Sequence, residues 1–393
     1  MKQQDSSPAA GVDARHPTSQ EDDLQSLWHR VAGRRSFLKG IGLAGAAAVP
    51  GSALFARSAL ARSGGITNGD VAILRFLAAA EIIETDLWRQ YNELGGVSGG
   101  NPAYMAALSN LDSDMPQYIA DNTDDEISHA AFLNAYLRSK GAQPVNLDEF
   151  RTLPSSKATG AKQHGRLTNL QKLDVDTSWY VRYRSTQNPD LGATFRQAVT
   201  IRNQPAIPLN DTDTPPGTAQ PNPPITSQAR RMQAIASTAG FHFAYIEQGG
   251  SSLYSTMALK ASSLEVLRIV VAIGGVETNH FSLWHDKAGN AVSGTLAGLT
   301  DPETGLTFPD LNARGGELNQ TNLILPEPAH FIRGLPVVSV VRPTLDEFAG
   351  AVATIKSFTA DRLFDGQSAK FFRTVMGLAR EADAARRHVV NGG

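Results

Sequence analysis

The chain has 393 residues and a formal net charge of −2, and it contains no cysteine. The lack of cysteine excludes disulfides, thiolate metal ligands, iron–sulfur clusters and a cysteine nucleophile. The nearly neutral charge argues against nucleic acid as a partner, which would favour a basic face. Any bound metal must therefore be held by carboxylates and histidines, a donor set that suits iron or manganese better than copper(I) and that does not exclude zinc.

Residues 1–61 have the features of a twin-arginine export signal with a long n-region. Residues 33–39 read GRRSFLK, and the Gly- and Ala-rich run 40–49 follows them. Ala59 and Ala61 match the Ala-x-Ala pattern of a signal-peptidase site, which predicts a mature chain that starts near Arg62. We expect export by the twin-arginine translocation machinery to the periplasm or cell envelope. Contact with the membrane is expected only through an uncleaved signal, because the apolar run is too short for a stable span.

Four long amphipathic patterns predict an α-helical bundle in residues 62–290. The first two patterns cover about residues 68–94 and 116–140, and Gly141 is placed as a C-terminal cap of the second. The third covers about residues 227–260. The fourth opens with a capping box in residues 262–265, or with its one-residue variant, and continues through Trp284. The pattern predicts two helix pairs.

The two pairs repeat one arrangement of metal-ligating residues. The motif Glu-x-x-His occurs at residues 126–129 and again at residues 277–280. Because successive helical residues are rotated by about 100°, positions i and i+3 share a face, and each motif can aim an oxygen and a nitrogen at one point. The preceding helix of each pair carries a lone glutamate on an apolar stripe, which should point inward. The six candidate metal ligands are Glu81, Glu126, His129, Glu247, Glu277 and His280.

Four carboxylates that converge in a dry core need to be neutralised. They would repel one another and be strongly destabilised by the loss of water unless protons or cations balanced their charge. Two divalent ions balance the four charges. The sequence therefore predicts two metal ions, iron first and manganese as the alternative, and it predicts that metal stabilises the fold.

Residues 141–226 connect the two helix pairs and are far too many for a tight turn. A bundle with one long crossover needs such a connection, and the excess length leaves three possibilities open: a lid, a short strand pair or a partner surface. Residues 179–183 and 195–201 have β-like composition.

Residues 291–393 are expected to pack on the bundle as an extension. They comprise an irregular stretch and two helical patterns, at about residues 345–359 and 367–389.

These residues resemble the ferritin-like superfamily of dinuclear carboxylate proteins, and within it the exported ferritin-like proteins related to desiccation-associated proteins. The resemblance covers residues 67–288 except for most of the crossover. It implies an all-α, ferritin-like four-helix bundle. It also implies that Glu126 and Glu277 bridge two metals and that the lone glutamates and the histidines are terminal ligands.

The resemblance also decides between two neighbouring glutamates. Members of the family tend to carry an aromatic residue seven positions after each lone glutamate, and Trp88 and Tyr254 match that register. The register favours Glu81 as the ligand, and it leaves Glu84 as an expected surface or rim residue. Trp88 stands where a tyrosine is commoner.

Two functions from different classes are consistent with this sequence. The first is redox chemistry on dioxygen or peroxide, as a ferroxidase, a peroxide-detoxifying enzyme or an oxidase. The second is a stress- or desiccation-related envelope protein whose metals only hold the bundle together, and the long crossover and C-terminal extension favour it. Iron storage in a hollow shell comes third, because the extra segments obstruct close assembly. Whether the chain forms a homo-oligomer stays open.

Overall fold

Helices make up the regular secondary structure of the described residues, which show only three isolated β-bridges besides. The computed structural model describes residues 66–182, 196–213, 227–314, 326, 332, 334–340 and 349–388. In chain order the helices are α1 (Asn68–Gly95), α2 (Pro102–Ser109), α3 (Met115–Ser139), α4 (Trp179–Arg182), α5 (Ser227–Ala258), α6 (Leu264–Gly289), α7 (Ala351–Ala360) and α8 (Ala369–Ala384). The predicted all-α fold class is confirmed. The expected export signal lies outside the described residues.

The four long helices α1, α3, α5 and α6 form the predicted bundle. Helix α1 packs on α3, and α5 packs on α6. In the second pair, Gly250 of α5 faces Glu277 of α6, and Tyr254 of α5 faces Gly274 of α6. The residue numbers therefore increase along α5 while those of the facing residues decrease along α6, which shows that the two helices are antiparallel. Gly141 has a φ of +73°, the left-handed conformation expected of a glycine just past a helix end. Helix α2 was not predicted.

The capping box predicted at the start of α6 is wrong, and one is present at the start of α1 instead. Thr67 Oγ1 accepts a hydrogen bond from the Asp70 amide (3.0 Å), while Asp70 accepts one from the Thr67 amide (3.1 Å). At α6 the N-cap Ser263 makes no side-chain hydrogen bond of this kind. Glu265 lies two rather than three residues after this N-cap, and the Ser263 amide that it would accept from donates to Asp70 of α1 at 3.2 Å.

The described part of the crossover packs along α1. The buried carboxylate of Asp86 accepts hydrogen bonds from the amide and hydroxyl of Thr168 (2.9 and 2.8 Å) and from Arg151 (2.6 Å). About two turns further along α1, Glu93 pairs with the buried guanidinium of Arg166. These charge-assisted bonds fix the connection to the bundle.

The β-like composition of the crossover did not lead to strands in the described residues. Trp179 and Tyr180 belong to the short helix α4, where both rings are fully buried against Phe241. Residues 196–201 form no strand, and Leu173 meets Gln204 only in an isolated bridge. Burial of aromatic rings therefore outweighed strand propensity. A lid and a partner surface stay predictions for the crossover.

The C-terminal extension packs on the bundle, as expected. Helix α8 contacts α1 and α7, and α7 contacts α5. Helix α8 ends at Ala384, before the predicted bound at residue 389, and the Arg386 guanidinium donates to the carbonyl oxygen of Asp383 at 2.9 Å. Residues 345–348 of the other predicted helix lie outside the described residues. Within the described part of the chain, no helix is both long and apolar enough to span a membrane.

Asp361, which follows α7, provides a test of how this extension is held. Its side chain is buried and its Oδ2 atom accepts no hydrogen bond. Burial, and then the negative charge of Asp176, raises the pKa of Asp361 well above its ordinary value. Because the folded state holds this proton more tightly than the unfolded chain, the associated stability is lost as the pH rises from the ordinary carboxyl pKa through the folded one.

We therefore expect Asp361→Asn to be at least as stable as the parent at pH 7. We also expect its free energy of unfolding to increase less than that of the parent when the pH is lowered. Thermal unfolding between pH 4 and 8 measures both effects. Asp365→Asn, which alters an exposed carboxylate paired with Arg362, is the control. A loss of more than about 1 kcal/mol at pH 7 for Asp361→Asn contradicts the prediction.

Candidate metal centre

The structure brings all six predicted ligand residues together in the bundle core. The four glutamates are fully buried, and His129 and His280 are 7% and 5% exposed. Their potential ligand atoms form two groups, in each of which the atoms lie within 4.8 Å of one another. Glu126 and Glu277 belong to both groups. The first group is completed by Glu81 and His129, and the second by Glu247 and His280.

Both histidines present Nδ1 to the carboxylates. His129 Nδ1 lies 3.3 Å from an oxygen of each of Glu81, Glu126 and Glu277. His280 Nδ1 lies 3.3 Å from Glu126 and 3.2 Å from Glu247. The two imidazoles therefore enter the same cluster of carboxylate oxygens from the opposed helices α3 and α6.

Asp125 holds the far side of one imidazole. Its carboxylate lies 3.0 Å from Nε2 of His280, and its side chain is half-exposed. A carboxylate that accepts the Nε2–H fixes the orientation of the ring, and when a metal is bound it leaves Nδ1 as the nitrogen that faces the ion. Asp125 was not among the predicted site residues, although it directly precedes Glu126.

The two aromatic residues of the predicted register donate hydrogen bonds across the bundle. Trp88 follows Glu81 on α1, but its indole Nε1 donates to Glu247 of α5 at 3.0 Å. Tyr254 follows Glu247 on α5, and its hydroxyl donates to Glu81 of α1. Each lone glutamate is therefore oriented by an aromatic residue from the facing helix.

Asn122 is a second residue that the sequence analysis missed. Its amide nitrogen donates to Glu126 (2.8 Å) and to Glu247 (3.0 Å), and its oxygen accepts a hydrogen bond from the indole of Trp284 (2.7 Å). The side chain is 3% exposed. Because Asn122 lies four residues before Glu126, helical spacing places both on one face, and this was the available signal.

The prediction that Glu84 lies at the surface or rim is wrong. Its side chain is only 3% exposed. Burial, and then the charges of Glu277 and Glu81, raises the pKa of Glu84 well above its ordinary value. Glu84 lies three residues after Glu81 and so shares its inward face, whereas the corresponding position after Glu247 is Gly250. The cluster is therefore more acidic on the α1 side.

Burial, mutual repulsion and the two histidines shift the pKa values of the clustered carboxyls in different directions. Burial raises the pKa of Glu81 to about 7 and that of Glu277 well above its ordinary value. Burial also acts to raise the pKa of Glu126, but hydrogen bonds with His129 and His280 outweigh it and hold that pKa below the usual range. The protons of the cluster are thus unequally distributed among its carboxyls.

Several oxygens of the cluster are available to a cation. Both carboxylate oxygens of Glu277 and Oε2 of Glu81 are buried, and among the described residues no group approaches them as a donor except His129 Nδ1, at 3.3 Å from Glu277 Oε1 and from Glu81 Oε2. An unsatisfied buried acceptor is costly, and a divalent cation is a partner that satisfies it. Four carboxylates and two imidazoles, arranged as two groups that share two members, fit a pair of divalent ions with oxygen and nitrogen ligands.

A matched pair of glycines tests the packing around Glu277. A Cβ atom added at Gly250 would lie 2.4 Å from Glu277 Oε2, whereas one added at Gly275 meets nothing within 4 Å. We expect Gly275→Ala to stabilise the protein by about 0.5–1 kcal/mol through its helix propensity. Gly250→Ala should displace the Glu277 carboxylate and weaken metal binding by about 10- to 100-fold. Thermal unfolding and competition with a chelator measure the two effects, and equal metal affinity in both variants contradicts the prediction.

The comparison with protein families agrees with this architecture. The family model for the ferritin-like domain matches residues 69–290, more than half of the chain. The matched range contains α1, α3, α5 and α6, the helices that supply all six clustered side chains. No curated protein and no solved structure matches the chain significantly. The chain belongs to the ferritin-like domain family.

Proposed function

We propose that the cluster binds two metal ions, iron first and manganese as the alternative, and that the bound pair carries out redox chemistry on dioxygen or peroxide. The observation that carries this proposal is the sharing of Glu126 and Glu277 between the two groups of ligand atoms. Two shared carboxylates suit two adjacent ions, and each group adds one lone glutamate and one histidine of its own. When bound, two adjacent redox-active metals supply a two-electron exchange with an oxidant.

The residues around the cluster hold the ligands and exclude water. Trp88 and Tyr254 orient the lone glutamates, Asn122 orients Glu126, and Asp125 orients His280. These fixed partners reduce the reorganisation that the ligands need when the charge of the site changes. The metal cluster is thus surrounded by groups that support a change in its charge, which favours a reactive centre over a merely structural one.

Burial also limits the size of the substrate. The candidate ligands are at most 7% exposed, and the exposed parts belong to the two histidines. The carboxylate of Asp125, which contacts His280, is half-exposed, so solvent reaches the outer side of this histidine's partner. A site closed to this degree favours small oxidants over bulky organic substrates.

The test is to load the protein anaerobically with iron(II) or manganese(II) and then to add oxygen or hydrogen peroxide. We expect consumption of one of these oxidants that requires metal and that is lost in Glu126→Gln. Glu149→Gln, which alters an exposed carboxylate of the crossover, is the control and should retain it. A fully loaded protein that is inert to both oxidants contradicts the redox proposal. Metal-dependent stabilisation without turnover would instead support the stress-related envelope protein with a structural metal site.

We further propose that the protein is exported by the twin-arginine pathway. The proposal is supported by Arg34 and Arg35 and by the apolar run that follows them. Because this pathway carries folded proteins, the metal can be acquired before export. Replacing both arginines by lysine should retain the protein in the cytoplasm with its metal content unchanged. Unaltered fractionation of the double variant contradicts the proposal.

A further inference from the structure

We propose that Trp88, Trp284 and Tyr118 form a one-electron path that carries electrons from a small reductant at the surface of α3 to the metal centre. The inference rests on the proposed redox function, because it gives the buried centre a supply of electrons. The three side chains come from α1, α6 and α3 and touch in sequence.

The inner end of the path lies against a candidate metal ligand. Trp88 is fully buried, and its indole Nε1 donates to Glu247 at 3.0 Å. A carboxylate at this position stabilises the positive charge that an indole acquires when it gives up an electron, and it can hold the indole proton. Trp88 is thus the aromatic side chain best placed to reduce the centre from the Glu247 side.

The middle of the path is a stack of two indoles. The rings of Trp88 and Trp284 lie 5.3 Å apart at 26° to each other. The indole of Trp284 donates to the neutral amide of Asn122 at 2.7 Å, so it keeps its proton. Phe243 packs against both indoles, at 4.8 and 4.7 Å, and excludes water from the stack. Two readily oxidised rings in direct contact exchange an electron more easily than either does with phenylalanine.

The outer end of the path is Tyr118. Its ring lies 6.3 Å from that of Trp284 and is oriented edge-on to it. Tyr118 is half-buried, so part of the side chain meets solvent. A phenol in this position can release its proton to water when it is oxidised and can recover an electron from a dissolved reductant.

A second chain of contacts from Trp88, through Tyr91 to His242, does not reach the protein surface. Tyr91 lies 5.8 Å from Trp88, and its hydroxyl is hydrogen-bonded to His242 at 2.7 Å. Both Tyr91 and His242 are fully buried, and burial lowers the pKa of His242 to about 3. An oxidised Tyr91 would meet no dissolved reductant, so this branch does not supply the centre.

The electron and proton balance of the path is simple. When metal is bound, Trp88 would give one electron to the centre and recover it from Trp284, which in turn would recover it from Tyr118. Tyr118 releases its phenolic proton to water as it loses the electron. A one-electron reductant of the ascorbate class then returns an electron and a proton to Tyr118 and is itself oxidised by one electron. Two passes supply the two electrons that, with two protons, convert one hydrogen peroxide into two waters.

The path can be tested by mapping oxidised residues in metal-loaded protein treated with hydrogen peroxide without a reductant. Peptide mass spectrometry locates the products, and freeze-quench electron paramagnetic resonance identifies the radicals. We expect oxidation at Tyr118 in the parent and an at least tenfold loss of it in Trp284→Phe, with increased oxidation at Trp88. Equal oxidation of Tyr118 in the parent and in Trp284→Phe overturns the path.

The matched control is Tyr136→Phe. Tyr136 is also a half-buried tyrosine of α3 beside a lysine, with Lys140 at 5.2 Å from its ring, as Lys287 lies 5.9 Å from Tyr118. Its ring stacks on Phe132 and contacts no indole of the described residues. Tyr136→Phe should therefore leave oxidation at Tyr118 unchanged, and an equal loss in this control also overturns the path.

A second measurement judges the path without metal. A ruthenium(II) polypyridyl photo-oxidant in solution is used to oxidise metal-free protein, and oxidation at Trp88 and Trp284 is mapped in the same way. We expect a several-fold lower yield in Tyr118→Phe than in the parent and in Tyr136→Phe. Equal yields of tryptophan oxidation in the three proteins overturn the path, whether or not the metal-loaded protein reacts with oxidants. A metal-loaded protein that is inert to oxidants, together with the expected photo-oxidation pattern, contradicts only the proposed function.

Discussion

Glu277→Gln stabilises the metal-free protein at pH 7 and abolishes the stabilisation that metal gives to the parent. Glu277 is fully buried, its oxygens meet no donor among the described residues except His129 Nδ1 at 3.3 Å, and burial raises its pKa well above the ordinary value. Keeping this carboxyl inside the folded protein at neutral pH is therefore costly, and the neutral amide removes a cost of about 1–3 kcal/mol. The advantage shrinks on acidification, because stability tied to a raised carboxyl pKa is lost as the pH rises.

The same variant should respond little to metal. In the parent, free metal at about a hundredfold excess over Kd contributes about 2.7 kcal/mol for each ion, a rise in Tm on the order of 10 °C for two ions. Thermal unfolding of chelator-treated protein, with and without added metal, measures both the stability of the metal-free variant and its response to metal. Glu149→Gln is the control with an exposed carboxylate. If Glu277→Gln lowers the stability of the metal-free protein and keeps the parent's metal response, the assignment of Glu277 is contradicted.

Glu81→Gln should cost one metal ion, and Glu126→Gln should cost both. Glu81 belongs only to the group with His129, whereas Glu126 belongs to both groups and lies against both histidines. After loading and desalting, we expect about one metal per chain in the first variant and close to none in the second, because a shared ligand is lost to both ions. Elemental analysis with protein quantification measures the ratio. Equal losses in the two variants contradict the sharing of Glu126.

The bundle was predictable because its signals are local. The 3.6-residue period identified the four long helices, and the i, i+3 spacing of Glu126 and His129 placed two side chains on one face. The same period also placed Glu84 on the inward face of Glu81, and the error arose from preferring the family register over helix geometry. Helix α2 is too short for a clear period, although Asn101 and Pro102 have the residue types of a helix start.

The cross-bundle partners of the residues that hold the ligands were not predictable, because these partners are distant in the chain. Asn122 contacts Trp284 and Trp88 contacts Glu247 across more than a hundred residues of sequence. A single sequence shows that such a residue is polar or aromatic, but it does not show which helix face it meets. The helical conformation of Trp179 has the same origin, since the aromatic partners that bury its ring lie on other helices.

The most direct test of the account is anomalous diffraction from crystals of the protein loaded with manganese(II) or iron(II). We predict two peaks in the bundle core, both contacted by Glu126 and Glu277, with His129 bound to one ion and His280 to the other. A loaded crystal with no peak among these side chains, or with its metal bound elsewhere, would contradict the claim that this cluster is a dinuclear metal centre.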